Sequence, residues 1–308
     1  MEPVITITLN PAIDKTTSVP SLEPDKKLKC TQPVFSAGGG GVNVARAICK
    51  LGGNAAALYF SGGHTGKFFG ELLGAEKVPA IPILINGYTR ENLIVTDEHT
   101  GQQYRFGMPG PEISATEWAT CLSRIREIPL RNRFVVASGS LAVGVPPEAF
   151  DTIGQLVNER GGQYIVDTAG KGLYHAIQGG AFLFKPNLGE LAALAGKNRI
   201  TLEEAAAIAK LFIDAGNCQY MVISLGPAGA MLVSAAGVSR FNAPEVERVS
   251  TVGAGDSMVA GIVLKLAQGE NIDSAVKFGV ACGTAATLNP GTTLCHPEDV
   301  QKLYHLMD

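Results

Sequence analysis

The segment Thr251-Val-Gly-Ala-Gly-Asp-Ser257 places two glycines directly before the start of a helical pattern. The apolar residues that follow at helical spacing are Val259, Ile262, Val263 and Leu266. Backbone N–H groups exposed at such a helix N-terminus attract anionic oxygens, and the helix dipole adds to the attraction. Asp256 beside them is placed to accept a proton from a substrate hydroxyl, or else it only caps the helix. This segment alone leaves both interpretations open.

Apolar strand candidates alternate with helical patterns on the N-terminal side of this segment. The strand candidates are 134–137, 164–166, 182–184 and 220–224, with helical patterns such as 148–158 and 202–214 between them. This alternation predicts an α/β fold with a mainly parallel sheet covered by helices on both faces. The β-rich stretches at about 15–36 and 82–108 are too many for a plain βα repeat. They predict a small second sheet, with 27–35 as one strand, within a single domain of residues 1–308.

The composition disfavours several classes of protein. Of the 308 residues, 46% are hydrophobic and the net charge is −3, which argues for a large core and against binding to nucleic acid or a membrane surface. The six cysteines form no C-x-x-C pair, which disfavours a zinc site or a redox motif. The first residues read as a strand and not as a signal peptide, and no apolar run is long enough to predict a membrane span. We therefore expect a cytoplasmic protein with neither a nucleic acid nor a membrane as its partner.

Four successive glycines at 38–41 precede a second helical pattern at 42–50. Glycines let a ligand approach the backbone, and Asn43 in the first helical turn offers a donor and an acceptor to sugar hydroxyls. The alternative is a flexible loop. Asp14, in a turn after the first strand, either binds sugar hydroxyls or braces its own turn. The phosphate-binding loop G-x-x-x-x-G-K-[ST] and the dinucleotide fingerprint G-x-G-x-x-G are both absent from the sequence.

Basic residues lie in both β-rich stretches. Lys27 and Lys29 are two positions apart, so they share one face of the predicted strand, and Arg90 and Arg105 lie in the other stretch. Converging cations would bind a phosphate or a bisphosphate. The alternative is a solvated sheet face.

The segment Lys185-Pro-Asn187-Leu-Gly-Glu190 follows the strand candidate 182–184. Asn187 suits a helix N-cap and Glu190 the third helical position, as in a capping box. In the functional interpretation, Asn187 and Glu190 bind Mg²⁺ through bridging water molecules, and Lys185 lies near the ATP phosphates. The spacing alone favours the capping box.

Taken together, these motifs resemble a known family. GGGGVNVARA (38–47), KPNLGE (185–190) and TVGAGDS (251–257), in this order and spacing, resemble the ribokinase-like PfkB carbohydrate kinases. The resemblance extends from Leu9-Asn-Pro11 to Asn289-Pro-Gly291. Further segments, such as Gln103-Tyr-Arg-Phe106, resemble the type 2 bacterial 6-phosphofructokinases more closely. The 1-phosphofructokinases and tagatose-6-phosphate kinases are near alternatives.

The resemblance implies a ribokinase-like three-layer sandwich with a small β-sheet lid over the sugar site, and a homodimer formed through the lids. It implies Asp256 as catalytic base, with an anion hole formed by Gly253, Ala254 and Gly255. The implied contacts to the sugar and its phosphate are Asp14, Lys27, Gly38, Gly39, Asn43, Arg90, Arg105 and Ser140. The implied contacts to ATP are Lys185, Asn187, Ser224, Gly226, Gly229 and Asn289.

The resemblance also implies two kinds of cation. Glu190 would organise Mg²⁺ through water. A monovalent cation such as K⁺ would lie beside the anion hole, on loops that contain Ser250, Val252, Ala286, Asn289 and Gly291.

The expected reaction is transfer of a phosphoryl group from ATP to a hydroxyl of a ketohexose phosphate. Conversion of fructose 6-phosphate to fructose 1,6-bisphosphate is the leading case, and a 1-phosphofructokinase or tagatose-6-phosphate kinase is the alternative. A kinase for an unphosphorylated sugar or a nucleoside would leave Lys27, Arg90 and Arg105 without a partner. A catalytically inactive regulator that binds sugars or nucleotides is disfavoured by the retained Asp256 and its glycine turn. The missing glycine fingerprint disfavours a nicotinamide dehydrogenase.

Overall fold

The computed structural model describes residues 2–291 and 293–307, except for the side chain of Lys171. Its strands are β1 (Val4–Thr8), β2 (Ala12–Val19), β3 (Val34–Gly38), β4 (Ala55–Gly62), β5 (Ala80–Ile85), β6 (Arg90–Asp97), β7 (Gln103–Phe106), β8 (Phe134–Ser138), β9 (Gln163–Asp167), β10 (Ala181–Phe184), β11 (Cys218–Ser224), β12 (Ala230–Ser234) and β13 (Gly237–Phe241). Its helices are α1 (Gly40–Lys50), α2 (Gly63–Ala75), α3 (Ala115–Glu127), α4 (Ala149–Glu159), α5 (Lys171–Ala176), α6 (Leu188–Leu194), α7 (Leu202–Asp214), α8 (Ala254–Ala267), α9 (Ile272–Ala286) and α10 (Pro297–His305). None of the described helices is both long enough and apolar enough to span a lipid bilayer.

Nine strands form the main sheet, in the order β13-β12-β11-β10-β9-β8-β1-β4-β5. Seven of these strands, β11, β10, β9, β8, β1, β4 and β5, run parallel to one another. The hairpin of β12 and β13 adds two antiparallel strands at the edge next to β11. Parallel neighbours need crossover connections, which the intervening helices supply. The predicted α/β fold with a mainly parallel sheet is confirmed.

Helices cover both faces of the main sheet, and each face has its own hydrophobic core. Successive side chains of a strand point to opposite faces. In β4, Ala57 and Tyr59 therefore join the core under α1, α8 and α9, whereas Leu58 and Phe60 join the core under α3, α4 and α7. The three layers are thus helix, sheet and helix.

Four strands form a separate small sheet, in the order β3-β2-β6-β7. β2 pairs in parallel with β6, and its pairing with β3 and that of β6 with β7 are antiparallel. Because β2 follows β1 and β3 precedes α1 in the chain, the small sheet joins the main sheet beside the carboxyl ends of the parallel strands. In open α/β sheets this is the edge where ligands bind.

Two predictions about the small sheet are wrong in detail. Residues 82–85, assigned to the lid, belong to β5, which pairs in parallel with β4 in the main sheet; Ile83 and Ile85 there fill the core under α3 and α4. Residues 27–33, predicted as part of a strand, are irregular, and β3 begins only at Val34. An alternating sequence forms a strand only if a neighbouring strand accepts and donates its backbone hydrogen bonds. Pro33 has no N–H to donate to such a neighbour.

Candidate active site

The glycine turn before α8 has the backbone geometry that the sequence predicts. Gly253 has a φ of 73°, in the left-handed region, and it is the N-cap residue of α8 without any side-chain capping bond. Asp256 lies in the first turn of the helix. Its carboxylate accepts a hydrogen bond from Asn43 Nδ2 at 2.9 Å. Asp256 is therefore bonded to the neighbouring helix α1 and is not the N-cap residue of its own helix.

The glycines at 38–41 are part of the packed structure and not a flexible loop. α1 begins at Gly40, and the φ of Gly39 is 113°. A β-carbon on Gly40 would lie 2.3 Å from Ser138 Oγ, and one on Gly41 would lie 2.5 Å from the carbonyl oxygen of Ile7. Close packing of α1 on β1 and β8 is thus one reason for glycine here, and it brings Asn43 to Asp256.

Asp14 lies on β2 of the small sheet, opposite Ser36 of β3 and Asn92 of β6. Its Oδ1 accepts a hydrogen bond from Asn92 Nδ2 at 2.9 Å, so it does not brace its own turn. A β-carbon on Gly38 would lie 2.3 Å from Asp14 Oδ2, so Gly38 leaves room for this carboxylate. Burial raises the pKa of Asp14, and the hydrogen bond from Asn92 and the charges of Arg46 and Arg90 oppose that rise.

Lys185 is a buried lysine that faces a carboxylate which sequence reasoning missed. Its Nζ lies 3.1 Å from Oδ1 of Asp167, the last residue of β9. Burial lowers the pKa of Lys185, but the charge and hydrogen bond of Asp167, together with the charges of Glu190 and Asp256, raise it, and the net pKa is raised. The sequence signal for Asp167 was its position directly after the apolar strand candidate 164–166.

The pKa of Asp256 is raised to about 6. Burial is the largest cause, and the negative charge of Asp167 adds to it, whereas the hydrogen bond from Asn43 and the charge of Lys185 oppose it. A β-carbon on Gly255 would lie 3.7 Å from Lys185 Nζ. The turn before α8, the carboxylate of Asp256 and the ammonium group of Lys185 therefore lie together, an arrangement suited to an anionic group that reacts with a hydroxyl.

Asn187 and Glu190 form the capping box that the spacing favoured. Asn187 Oδ1 accepts from the Glu190 N–H, and Glu190 Oε2 accepts from the Asn187 N–H, both at 2.8 Å. Burial raises the pKa of Glu190, and the Asn187 N–H opposes the rise. The cap does not exclude binding of a hydrated cation, because Glu190 has a second carboxylate oxygen.

A cavity of about 580 Å³ opens between the turn after β11 and the start of α8. Its walls include three of the predicted ATP contacts, Ser224, Gly226 and Gly229, together with Gly255 of the predicted anion hole. A β-carbon on Gly229 would lie 2.0 Å from the carbonyl oxygen of Phe241, so the hairpin of β12 and β13 approaches this turn closely. The remaining walls combine apolar residues, such as Val246, Met258 and Val280, with polar ones, such as Glu245 and Arg248.

Asn289 differs from the other predicted ATP contacts. Its Nδ2 donates to the carbonyl oxygen of Ala285 at 3.2 Å, and Asn289 is not among the described residues that line the 580 Å³ cavity. Asn289 therefore extends the hydrogen bonding at the end of α9.

The structure does not bring the three predicted phosphate-binding cations together. Arg90 lies near Asp14, and its Nη1 and Nη2 donate to the carbonyl oxygens of Met108 and Asn10, both at 3.0 Å. Arg105 is exposed and lines a second cavity of about 820 Å³ between β7 and the loop before α8. Lys27 is exposed in the irregular segment between β2 and β3, so it does not share a strand face with Lys29.

Two further predicted sites lie on loops at the same edge of the sheet. Ser140 follows β8, and its Oγ accepts a hydrogen bond from Asn10 Nδ2 at 3.1 Å.

The loops of the predicted monovalent-cation site contact each other. Ser250 Oγ donates to the carbonyl oxygen of Gly291 at 3.2 Å, and the Ser250 N–H donates to the carbonyl oxygen of Thr287 at the same distance. Val252 lies next to this contact, and Ala286 is buried at the end of α9.

A family model described as the pfkB family carbohydrate kinase matches residues 2–299 of this chain. The chain belongs to the pfkB family of carbohydrate kinases. It is 41% identical to the ATP-dependent 6-phosphofructokinase isozyme 2 of Escherichia coli strain K12, over 98% of this chain and 97% of that protein. It is 40% identical to the enzyme of the same name from Mycobacterium tuberculosis strain H37Rv, over 98% of this chain and 89% of that protein.

The structure supports the same assignment. The crystal structure of phosphofructokinase-2 from Escherichia coli in complex with potassium superposes on this chain with a TM-score of 0.96. The match covers 100% of this chain and 99% of that one, at 41% identity. The predicted ribokinase-like fold of this pfkB family member is confirmed.

Proposed function

We propose that this protein transfers the γ-phosphoryl group of ATP to fructose 6-phosphate and forms fructose 1,6-bisphosphate. The two relatives at 40–41% identity are both named as ATP-dependent 6-phosphofructokinases. The observation that carries the proposal for this chain is the bond from Asn43 to Asp256 at the N-terminus of α8. It places a proton acceptor beside donors that can hold a phosphoryl group.

In the proposed mechanism, the carboxylate of Asp256 accepts the proton of the attacking sugar hydroxyl as that oxygen approaches the γ-phosphorus of ATP. With a pKa of about 6, Asp256 is still mostly ionised at neutral pH. The raised pKa makes its carboxylate a stronger base than that of an ordinary aspartate. The backbone N–H groups of Gly253, Ala254 and Gly255 stabilise charge on the transferring group. Positioning and electrostatics carry most of the catalysis in such a transfer.

The ATP site in this proposal is the 580 Å³ cavity. Its apolar walls suit a base, and Ser224, Gly226 and Gly229 lie on the phosphate side. Lys185 attracts the phosphates as a buried ammonium group, and Asp167 keeps it charged.

Glu190 and Asn187 fit the proposed Mg²⁺ site. Mg²⁺ usually keeps several waters and binds through one or two carboxylates together with substrate phosphates. The described residues contain no cluster of three or more metal-ligating side chains, which suits an ion held mainly by ATP and water. When bound, Mg²⁺ neutralises phosphate charge; Glu190 would hold its water through the oxygen that the capping box leaves free.

The monovalent-cation site in this proposal lies where Ser250 and Val252 meet Ala286, Asn289 and Gly291. Backbone carbonyl oxygens are suitable ligands for such an ion, and the hydrogen bonds between these loops hold them close together. A K⁺ ion there would stabilise the turn that carries the anion hole.

The sugar in this proposal lies between the small sheet and α8. Asp14, Asn43 and Ser140 would bind its hydroxyl groups, and Gly38 and Gly39 leave room for it. Arg90 is the first candidate for the sugar's phosphate, since its Nε is buried without a hydrogen-bond partner in the described structure. Lys27 and Arg105 are exposed and lie apart from Arg90, so in this proposal they add only a longer-range attraction for the phosphate.

The proposed assembly is a homodimer formed through the small sheets. Leu93 of β6 is paired with Phe106 of β7, and Val95 is paired with Tyr104, so their side chains share the face opposite Arg105. Tyr104 is 39% exposed and Phe106 is 46% exposed. Light scattering on the double variant Tyr104→Arg/Phe106→Arg should give the monomer mass; an unchanged mass would contradict this interface.

The cytoplasm is the proposed location. All six cysteines are free, four of them buried, which is the usual state of thiols in a reducing compartment.

The substrate proposal is tested by ADP release with Mg-ATP and a panel of acceptors. The panel contains fructose 6-phosphate, fructose 1-phosphate, tagatose 6-phosphate, fructose, ribose and adenosine. The highest kcat/KM is expected with fructose 6-phosphate. A preference for another phosphorylated ketose would keep the mechanism and change the substrate, whereas activity only on neutral acceptors would contradict the phosphate site. No activity on the whole panel would favour a non-catalytic binding protein.

A further inference from the structure

Arg46 is a buried arginine of α1 whose guanidinium group is bonded on three sides. Its side chain is only 8% exposed. Nε and Nη2 donate to the two carboxylate oxygens of Glu76, at 2.8 and 2.7 Å. Nη1 donates to the carbonyl oxygen of Ala37 at 2.6 Å and to Asn43 Oδ1 at 3.3 Å. The two-pronged contact with Glu76 fixes both the position and the plane of the guanidinium group.

The bond from Arg46 decides which way the Asn43 amide faces. A rotation of 180° would exchange the accepting oxygen and the donating nitrogen of this amide, but a guanidinium group has donors only. The oxygen must therefore face Arg46, and the nitrogen must face Asp256, where it donates at 2.9 Å. In the reversed orientation the amide oxygen would face the carboxylate and the amide nitrogen would face the guanidinium group, and both contacts would be repulsive.

We infer that Arg46 is a positioning residue for phosphoryl transfer, which acts through Asn43 to keep a hydrogen-bond donor on the carboxylate of Asp256. Arg46 also donates to the carbonyl oxygen of Ala37, next to Gly38, and so links the end of β3 to the middle of α1. The inference rests on the proposed role of Asp256 as the base. It adds a residue that contacts neither ATP nor the sugar in the proposed mechanism.

Charged groups from several elements face the pair formed by Asn43 and Asp256. Asp167 from β9, Asp14 from β2 and Lys185 after β10 all act on Asp256. Arg46 itself lies near Asp14, Glu76 and Lys50. Since the Asn43 bond opposes the rise in the pKa of Asp256, reversal of the amide would raise that pKa further. Loss of the Arg46 charge would raise the pKa of Asp14 as well.

The test is the pH dependence of kcat/KM for fructose 6-phosphate, which reports groups that titrate in the free enzyme. On the acid side of this profile, called the acid limb below, kcat/KM falls as the base becomes protonated. In Arg46→Met we expect the acid limb to shift to higher pH by about one unit. At pH values below the shifted limb, kcat/KM should then decrease roughly tenfold more than at neutral pH. Arg46→Lys keeps a donor-only cation and should restore at least half of the shift. Arg133→Met is the matched control: Arg133 is 15% exposed and paired with Glu2, at the amino end of β8, and its loss should leave the limb in place.

Three outcomes would overturn the inference. They are an unchanged acid limb in Arg46→Met, a loss of activity by one factor at every pH, and an equal limb in Arg46→Lys and Arg46→Met. If Arg46→Met fails to fold by circular dichroism, the double variant Arg46→Gln/Glu76→Gln takes its place with a neutral hydrogen-bonded pair. A raised limb in the double variant supports the inference, and an unchanged limb overturns it.

Asp256→Asn separates this inference from the proposed function. Near-normal turnover in Asp256→Asn would remove the proposed base, whatever Arg46 does. An inactive Asp256→Asn together with an unchanged limb in Arg46→Met would defeat the inference alone.

Discussion

The main sheet and the small sheet differ in how completely they are buried. Every residue of β1 and of β4 is buried beneath helices. In β7 of the small sheet, three of the four residues are exposed. A few strands with so little burial are only marginally stable by themselves. The groups proposed for catalysis and for ATP binding therefore lie on tightly packed elements of the main sheet and its helices. Several groups proposed for sugar binding lie on the small sheet, which is less tightly packed.

The largest expected contrast is in stability. Phe150 of α4 is fully buried in a core of the main sheet, so Phe150→Ala should lower the free energy of unfolding by about 3–5 kcal/mol. Val34→Ala, at an exposed position of the small sheet on the face opposite the proposed dimer interface, should change it by less than about 0.5 kcal/mol. Urea unfolding at one fixed protein concentration measures both. A loss above about 1 kcal/mol in Val34→Ala would contradict the contrast in packing between the two sheets.

Substitution of the proposed base should have the largest effect on catalysis. Asp256→Asn keeps the size of the side chain and removes the proton acceptor, so kcat should fall at least about 10²-fold while the protein folds normally. Steady-state kinetics and circular dichroism check the two parts. Asp273→Asn is the matched control, since Asp273 also lies in the first turn of a helix, α9. Turnover near normal in Asp256→Asn would exclude Asp256 from the mechanism.

The small sheet should control the KM for the sugar phosphate. Arg90→Ala removes a charged hydrogen-bond donor, so the KM for fructose 6-phosphate should rise about tenfold or more and the KM for ATP should change much less. Lys27→Ala and Arg105→Ala should act in the same direction with smaller effects, because both side chains are exposed. Equal effects on the two KM values would contradict a phosphate site on the small sheet.

The smallest expected effect is a gain in stability from Asp256→Asn. The pKa of Asp256 is raised to about 6 in the folded protein, so the wild-type protein loses stability as the pH rises from about 4, the pKa of an aspartate in an unfolded chain, to 6. Two pKa units correspond to at most about 2.7 kcal/mol. Because Asp256 is partly exposed and solvent screens its charge, we expect the asparagine variant to be more stable by about 1 kcal/mol at pH 7, a Tm higher by a few degrees. Thermal unfolding at pH 7 and pH 4 checks it; a gain of equal size at both pH values would point to another cause.

Local patterns predicted the main sheet better than the small one. The central strands of the main sheet appear in the sequence as short apolar runs because both of their faces are buried, and the helices between them show a helical apolar period. In the small sheet, the strand predicted at 27–35 forms only from Val34 onward, and 82–85 were assigned to the wrong sheet. Sheet membership depends on which strand lies alongside, and that information is not contained in a segment's own alternation.

The candidate site shows the same division. The glycine turn, Asp256 and the capping box of Asn187 and Glu190 depend on residues a few positions apart, so the motifs revealed them. Asp167 and Arg46 were missed as candidate site residues. Asp167 meets Lys185 only because β9 and β10 are neighbours in the sheet, and Arg46 acquires its role from Glu76 and Asn43 together.

The sequence by itself therefore determined the α/β class, the positions of the glycine turns and the carboxylate proposed as base, because hydrophobic periodicity and turn chemistry are short-range properties. Only the tertiary structure decided which strands belong to each sheet, which cations approach the proposed sugar site and which way the Asn43 amide faces. Those features depend on contacts between residues distant in the chain, such as the hydrogen bond from Asn43 to Asp256, and no local pattern records them.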